Sequence, residues 1–258
     1  MSRYILLSFD VEEFDMPLEY NGTIKLAEQL EIGRRGLEIL MPVLEEYKLA
    51  CTLYTTATYA INFPDTIKEL SKKHEIASHT FYHSNFENEH LLQSRLKLEE
   101  ITGKAVTGLR MPRMRKVEMN EVIKAGYLYD SSVNPTYIPG RYNNLKVSRT
   151  LYKQEGMLRL PASVTPNFRI PLFWLAFKNM PLKLFKSLAI QTLKKDGYLC
   201  LYFHPWEFTD IMKYPLPLYT KRWCKEILLE RLIGLIEALK KQGDFITTQT
   251  FINSKSPI

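Results

Sequence analysis

Tyr4-Ile5-Leu6-Leu7-Ser8-Phe9 is a near-continuous apolar run that stops abruptly at Asp10-Val11-Glu12-Glu13. A strand that is apolar on both faces is buried on both, which is the pattern of parallel sheets covered by helices. Parallel neighbours need long crossovers, so the chain must alternate strands with helices. It does. Runs that read as strands recur at 51–56, 74–77, 106–111, 127–131, 158–161, 198–203 and 245–248, and helical periodicity is found at 31–47, 67–73, 91–101, 117–124, 182–195 and 224–241. Pro42 is an expected kink in the first helix, and Gly126 stops the fourth. The alternation argues for βαβ units in a doubly wound sheet or a barrel. No repeat, low-complexity tract or linker interrupts it, so residues 1–258 are expected to form one domain.

With 45% hydrophobic and 24% charged residues the chain can bury a large core, which excludes disordered and fibrous classes. The net charge of +7 invites a nucleic-acid reading, but the basic residues are scattered and no RNA-recognition or zinc-finger pattern is present. A basic enzyme surface is favoured, with an anionic substrate or membrane face second. Cys51, Cys200 and Cys224 are odd in number and widely spaced, and Cys51 and Cys200 sit in apolar runs, so core thiols rather than disulfides are expected. The chain enters its first strand directly, without a leader pattern, and has no bilayer-length apolar stretch; a cytoplasmic location is the expectation.

The chemistry gathers at strand ends. Asp10 and Glu12 follow the first strand, His79 and His83 the third, Arg110 the fourth; Asp130 closes the fifth, and His204 follows the seventh. Active sites of parallel α/β folds form at the carboxyl ends of strands. Two imidazoles four apart are expected on one face of a helical turn, where they can share an ion, and a carboxylate from another strand completes three ligands with positions left open. Alone, each group has an ordinary explanation: a solvated strand end for the acids, an ion pair for Arg110, a turn or N-cap for Asp130. Their repetition at one end of the strands favours a site. His74 and His90 fit no such pattern. The apolar stretch from Phe168 to Phe177, with Trp174, reads as core or lid before membrane-facing patch.

These residues resemble the polysaccharide deacetylases, the chitooligosaccharide-deacetylase homology domain of carbohydrate esterase family four, through five ordered motifs between about Leu6 and Phe208. Leu7-Ser8-Phe9-Asp10 with Glu12 is similar to the first, and Glu75-Ile76-Ala77-Ser78-His79-Thr80-Phe81-Tyr82-His83 to the second. Arg110-Met111-Pro112 resembles the third, Asp130-Ser131-Ser132 the fourth, and Leu201-Tyr202-Phe203-His204-Pro205 the fifth. The resemblance implies a single-domain distorted (β/α) barrel of seven or eight parallel strands that hydrolyses an N-acetyl or similar N-acyl group on an amino sugar. It makes Asp10 the base, His204 the acid, and Glu12, His79 and His83 the ligands of one divalent ion, zinc first, with cobalt, iron, nickel or manganese as alternatives. It sets Arg110 to hold Asp10 and Asp130 to hold His204, and assigns Thr80, Pro112 and Trp206 to substrate contact. Two departures stand out: Glu12 and Glu13 replace the usual adjacent aspartate, leaving either as the ligand, and Arg113 and Met114 replace the third motif's aromatic and glycine.

The implied substrate is an amino sugar in a polysaccharide, an oligosaccharide or a lipid-linked precursor. For the last, the apolar stretch after Phe168, with Lys178, Lys183 and Lys186 behind it, suggests peripheral contact with a membrane surface. The competing function is a carbohydrate-binding barrel of the same fold that has lost catalysis.

Overall fold

The computed structural model describes residues 2–255. In chain order its elements are β1 (Tyr4–Val11), α1 (Leu26–Glu46), β2 (Thr52–Thr55), α2 (Ala57–Asn62), α3 (Pro64–Leu70), β3 (Glu75–Ser78), α4 (Glu89–Thr102), β4 (Gly108–Leu109), α5 (Met119–Lys124) and β5 (Tyr129–Asp130). There follow β6 (Tyr137–Ile138), β7 (Tyr142–Asn143), β8 (Tyr152–Gln154), β9 (Met157–Arg159), α6 (Trp174–Asn179), α7 (Leu182–Asp196), β10 (Tyr198–Phe203), α8 (Leu218–Lys221), α9 (Lys225–Lys240), β11 (Asp244–Phe245) and α10 (Thr248–Lys255). The main sheet runs β10-β1-β2-β3-β4-β5-β9-β8, with β11 on the amino half of β1. Of its nine strands only β8, the hairpin partner of β9, runs antiparallel. After β9 the chain reaches back to β10, where Ser163 N donates to Cys200 O at 2.9 Å and Cys200 N donates to Ser163 Oγ at 2.9 Å. The sheet therefore curls into a deformed (β/α) barrel, one of the two arrangements that the alternation allows and the one that the resemblance implies.

Strand alternation decides which side chains meet. On β1, Ile5, Leu7, Phe9 and Val11 pack outward against the helices, while Leu6 packs inward with Tyr54, Ala77, Tyr129 and Cys200. Ser8, Asp10 and Glu12 continue the inward series, and on β10 the series Cys200, Tyr202, His204 does the same. Parallel register from Tyr4↔Tyr198 to Phe9↔Phe203 brings both series to the same end of the barrel. At the opposite end α10 closes the interior with Phe251 and Ile252.

α1 lies close against the loops that carry the site because two of its positions lack side chains. A Cβ on Gly33 would stand 2.7 Å from Glu12 O, and one on Gly36 only 2.0 Å from Pro205 O. The helix runs through Pro42, which falls in its last turns. The expected strand at 245–248 ends at Phe245, and Thr248 instead starts α10, with its N–H on Thr52 Oγ1 at 2.9 Å. The cysteines are free and buried, as expected. No helix among the described residues is long and apolar enough to cross a membrane.

Candidate active site

Glu12, His79 and His83 converge at the carboxyl end of the barrel, with Glu12 Oε2 at 2.9 Å from His79 Nε2 and 3.0 Å from His83 Nε2. Glu12 Oε2 and His79 Nε2 are buried without hydrogen-bond partners, so their close approach lacks hydrogen-bond geometry. Lone pairs aimed at a common point are what a cation requires, and unsatisfied buried polar atoms are costly otherwise. The surroundings fix each ligand. His79 Nδ1 bonds Arg110 O at 2.7 Å, which makes Nδ1 the protonated nitrogen and leaves Nε2 free to ligate. His83 Nδ1 faces Asp15 Oδ1 at 2.8 Å, and Trp206 Nε1 donates to Glu12 Oε1 at 3.0 Å. Burial works to lower the His83 pKa, but Glu12 and Asp15 overcome it and raise it to about 10. Burial likewise works to raise Glu12, yet His83 and His204 hold it well below the usual carboxylate range. The set thus fits a divalent ion of mixed imidazole and carboxylate preference, such as zinc, cobalt or iron.

Glu13 is not part of this set. It points to the other side of the strand end, where its Oε2 accepts from Thr56 Oγ1 at 2.6 Å, and burial raises its pKa. The period-two alternation that turns Val11 outward turns Glu13 outward too, which leaves Glu12 as the ligand.

The histidine pair does not ride on a helical turn as its spacing suggests. Residues 79–83 form a loop after β3, bent by Thr80 at φ +63°, an unfavourable conformation for a β-branched residue. Thr80 is held there by its own hydroxyl on Tyr82 O at 2.9 Å and by its carbonyl, which accepts from Ala57 N at 3.0 Å. The two rings end nearly parallel, 5.6 Å apart.

Beside the ligands, Arg110 Nη1 donates to Asp10 Oδ1 at 2.6 Å and to Ser8 Oγ at 2.9 Å, with its guanidinium 3.9 Å from the centre of the Tyr54 ring. Asp10 Oδ2 is left facing His204 Nε2 at 3.8 Å. His204 is stacked on Trp206, with centroids 4.8 Å apart, and meets the edge of Trp174 at 5.1 Å. The apolar stretch expected as core or lid therefore supplies, through α6, one wall of the site.

The expected partnership of Asp130 with His204 is not formed. Asp130 Oδ2 pairs with Arg159 Nε at 2.8 Å and its Oδ1 accepts from Ser132 Oγ at 2.5 Å. Arg159, at the end of the neighbouring β9, is a closer cation than a histidine one strand further on, so the aspartate is turned to the sheet edge. His204 Nδ1 instead faces Glu207 Oε1 at 3.0 Å. Lys178, expected among surface charges, is wholly buried and lies 3.3 Å from Glu207 Oε2.

A cleft of about 320 Å³ opens on this group. Asp10, Glu12, His79, His83, Trp206 and His204 line it, whereas Arg110, Asp130, Thr80 and Pro112 do not, so of the three residues expected to contact substrate Trp206 alone faces the cleft. Its outer walls are aromatic and apolar (Tyr20, Tyr142, Phe173, Trp174, Tyr219) with Arg113 and Arg141 among them. Arg113 and Met114 adopt φ of +55° and +53°, the left-handed backbone that a glycine would take without cost. In exchange Arg113 bridges Asp15 Oδ2, at 2.8 Å, and Glu19. Sequence reasoning missed Asp15 and Glu207, and named Trp174 only as part of a core or lid segment. The two missed residues lie within three residues of Glu12 and His204, a proximity that would have pointed to them.

The polysaccharide deacetylase family model matches residues 33–125, the segment that carries the second and third motifs. No curated protein matches the chain in sequence. Among solved structures, a putative polysaccharide deacetylase from Mycobacterium smegmatis is 15% identical with a TM-score of 0.68, covering 98% of this chain and 91% of that one. A probable polysaccharide deacetylase from Pseudomonas aeruginosa PAO1 is 14% identical at a TM-score of 0.67, covering 97% of this chain and 89% of that one. An allantoinase is 16% identical at 0.66, with the same coverage of 97% and 89%. At such identities the likeness is one of fold. The chain is a deformed barrel of the polysaccharide deacetylase type. Its sequence matches the polysaccharide deacetylase model across residues 33–125, and the resemblance to that family is borne out there, in the segment of the second and third motifs.

Proposed function

We propose that the protein is a metal-dependent hydrolase that removes an N-acetyl or similar N-acyl group from an amino sugar. The observation that carries this reading is a cluster of three buried candidate ligand atoms lining the same cleft as two groups suited to opposite proton tasks, Asp10 and His204, which face each other at 3.8 Å. A divalent ion held by Glu12, His79 and His83 supplies polarisation of the acyl carbonyl and acidification of water. Asp10 accepts a proton at Oδ2, the oxygen that Arg110 leaves free, and the Arg110 contact at Oδ1 fixes its direction. As the tetrahedral intermediate collapses, the His204 Nε2–H passes to the departing amine, which is a poor leaving group without it. Burial works to lower the His204 pKa, but Glu12, Glu207 and Asp10 raise it, which keeps that proton available. The indole and phenol rings of the cleft offer flat apolar faces of the kind on which sugar rings pack.

The intact pair of proton-transfer groups favours the enzyme over a binding barrel that has lost catalysis. Acyl release from N-acetylated amino-sugar oligomers, measured with zinc- or cobalt-loaded protein, tests the proposal. Turnover that vanishes in His79→Ala/His83→Ala along with the metal is expected. A metal-loaded protein that binds the oligomers and releases no acyl group from any N-acyl sugar would establish the binding barrel instead.

A further inference from the structure

We propose that Glu207, clamped by Lys178, is the carboxylate that positions His204 as proton donor, the task expected of Asp130. The inference rests on the acyl-hydrolase reading above and deepens it. Glu207 Oε1 is 2.8 Å from His204 N, which donates to it, and 3.0 Å from His204 Nδ1. A carboxylate only accepts, so Nδ1 carries a proton and Nε2 is the nitrogen presented to Asp10 and the cleft. The other oxygen, Oε2, is 3.3 Å from Lys178 Nζ, which also donates to Thr220 O at 2.8 Å. Glu207 and Lys178 are both fully buried, so each charge is compensated chiefly by the other.

The geometry comes from two short elements. Glu207 sits three residues after His204 in the 3-10 turn Pro205–Phe208, so one oxygen reaches back to the backbone N and the Nδ1 of His204. Lys178 and Trp174 are one turn apart on α6 and approach the same histidine from the other side, Trp174 at the ring edge and Lys178 through Glu207. Stacking on Trp206 leaves the imidazole little freedom to tilt. In the proton transfer the C–N bond breaks, its electron pair stays on nitrogen, and that nitrogen takes the Nε2 proton. The imidazole ends neutral, with Nδ1–H still on Glu207. Asp130 has no part in it, being engaged by Arg159 and Ser132.

Three variants test the assignment: Glu207→Gln, Lys178→Met and Asp130→Asn. Each is assayed on an N-acyl amino sugar and on an activated ester of the same acyl group, whose leaving group needs no proton. The histidine Nδ1–H proton signal is read by NMR on the same proteins. Glu207→Gln should lower kcat on the amide about ten- to a hundredfold, part of the two to four orders that a positioned acid is worth, with KM and ester hydrolysis nearly unchanged. It should also move or remove a downfield Nδ1–H signal. Lys178→Met should act in the same direction and less, and it keeps the question decidable if Glu207→Gln does not fold. Asp130→Asn should lose thermal stability alone. An amide-selective loss in Asp130→Asn, or equal losses on amide and ester in Glu207→Gln and Lys178→Met, would overturn the proposal. If the parent hydrolyses no N-acyl sugar the activity reading fails by itself, and the proton signal still decides: its persistence in Glu207→Gln refutes the pairing.

Discussion

Asp15 Oδ1 stands 2.8 Å from His83 Nδ1, on the side of the ring away from Glu12. In the proposed site a carboxylate there would favour a proton on Nδ1 and leave Nε2 for the ion, although the two groups meet here without hydrogen-bond geometry. Asp15 is itself held by Arg113 and by the Ser84 hydroxyl, so it cannot swing away. Asp15→Asn is expected to weaken zinc binding by about ten- to a hundredfold while leaving the fold intact. Competition with a chromophoric chelator measures this; an unchanged dissociation constant would show that Asp15 does not act through His83.

Trp206→Phe tests the same principle at the other ligand. Phenylalanine keeps the stacking surface under His204 but removes the Nε1–H on Glu12 Oε1. Metal affinity should fall by about tenfold or less, at or below the low end of the Asp15→Asn range, the net worth of one hydrogen bond at about 0.5–1.5 kcal/mol. The same chelator titration reads it, and a loss larger than that of Asp15→Asn would contradict this ranking.

Most strands were legible as short apolar runs, and all eight predicted runs overlap a parallel strand of the barrel. The elements that escaped are short ones. α2 is started by the Thr56 hydroxyl on Tyr59 N, and the β6–β7 hairpin is only two residues a side. At the site, the expected ligand residues Glu12, His79 and His83 do converge, but the histidines do so from a loop and not from the helical turn that their spacing suggests. Thr80 takes a left-handed conformation that no propensity favours, imposed by contacts to the neighbouring α2. Asp130 shows the other limit: an aspartate at a strand end has many possible cations, and only packing revealed Arg159 as the nearest.

Glu75, at the start of β3, gives a pH-dependent prediction outside the site. Burial raises its pKa, against the hydrogen bonds it accepts from Tyr129 Oη at 2.5 Å, Thr52 Oγ1 at 2.8 Å and Gln249 N at 2.9 Å. The folded protein therefore holds this proton more firmly than the unfolded chain does. The resulting stabilisation is fully present below the unfolded pKa and is lost as pH climbs through the raised folded value. Glu75→Gln removes that loss, so its stability relative to the parent should improve from about pH 4 to about pH 7. Denaturant midpoints across this range provide the check, and a difference independent of pH would contradict the raised pKa.

Asp10 and Arg110 form a buried ion pair, and the two functions of that pair can be separated. Removing one partner strands the other charge away from water, which typically costs about 3–5 kcal/mol, whereas replacing both with neutral groups is often tolerated. Arg110→Met should therefore destabilise the protein strongly, because Asp10 Oδ1 loses its guanidinium and only Ser8 and Ser131 remain near the gap. Asp10→Asn should be destabilised as well, while the metal stays bound through Glu12, His79 and His83. The double variant Asp10→Asn/Arg110→Met should recover much of the lost stability, since no charge is left stranded. It should not recover turnover if Asp10 is the base as proposed, because the amide of asparagine cannot take a water proton; about two to four orders of magnitude should remain missing. A double-mutant cycle on unfolding free energy, run beside kcat for the same four proteins, gives both readouts. Additive destabilisation would mean the pair is not coupled, and activity returning with stability would remove Asp10 from the role of base and leave Arg110 a purely structural cation.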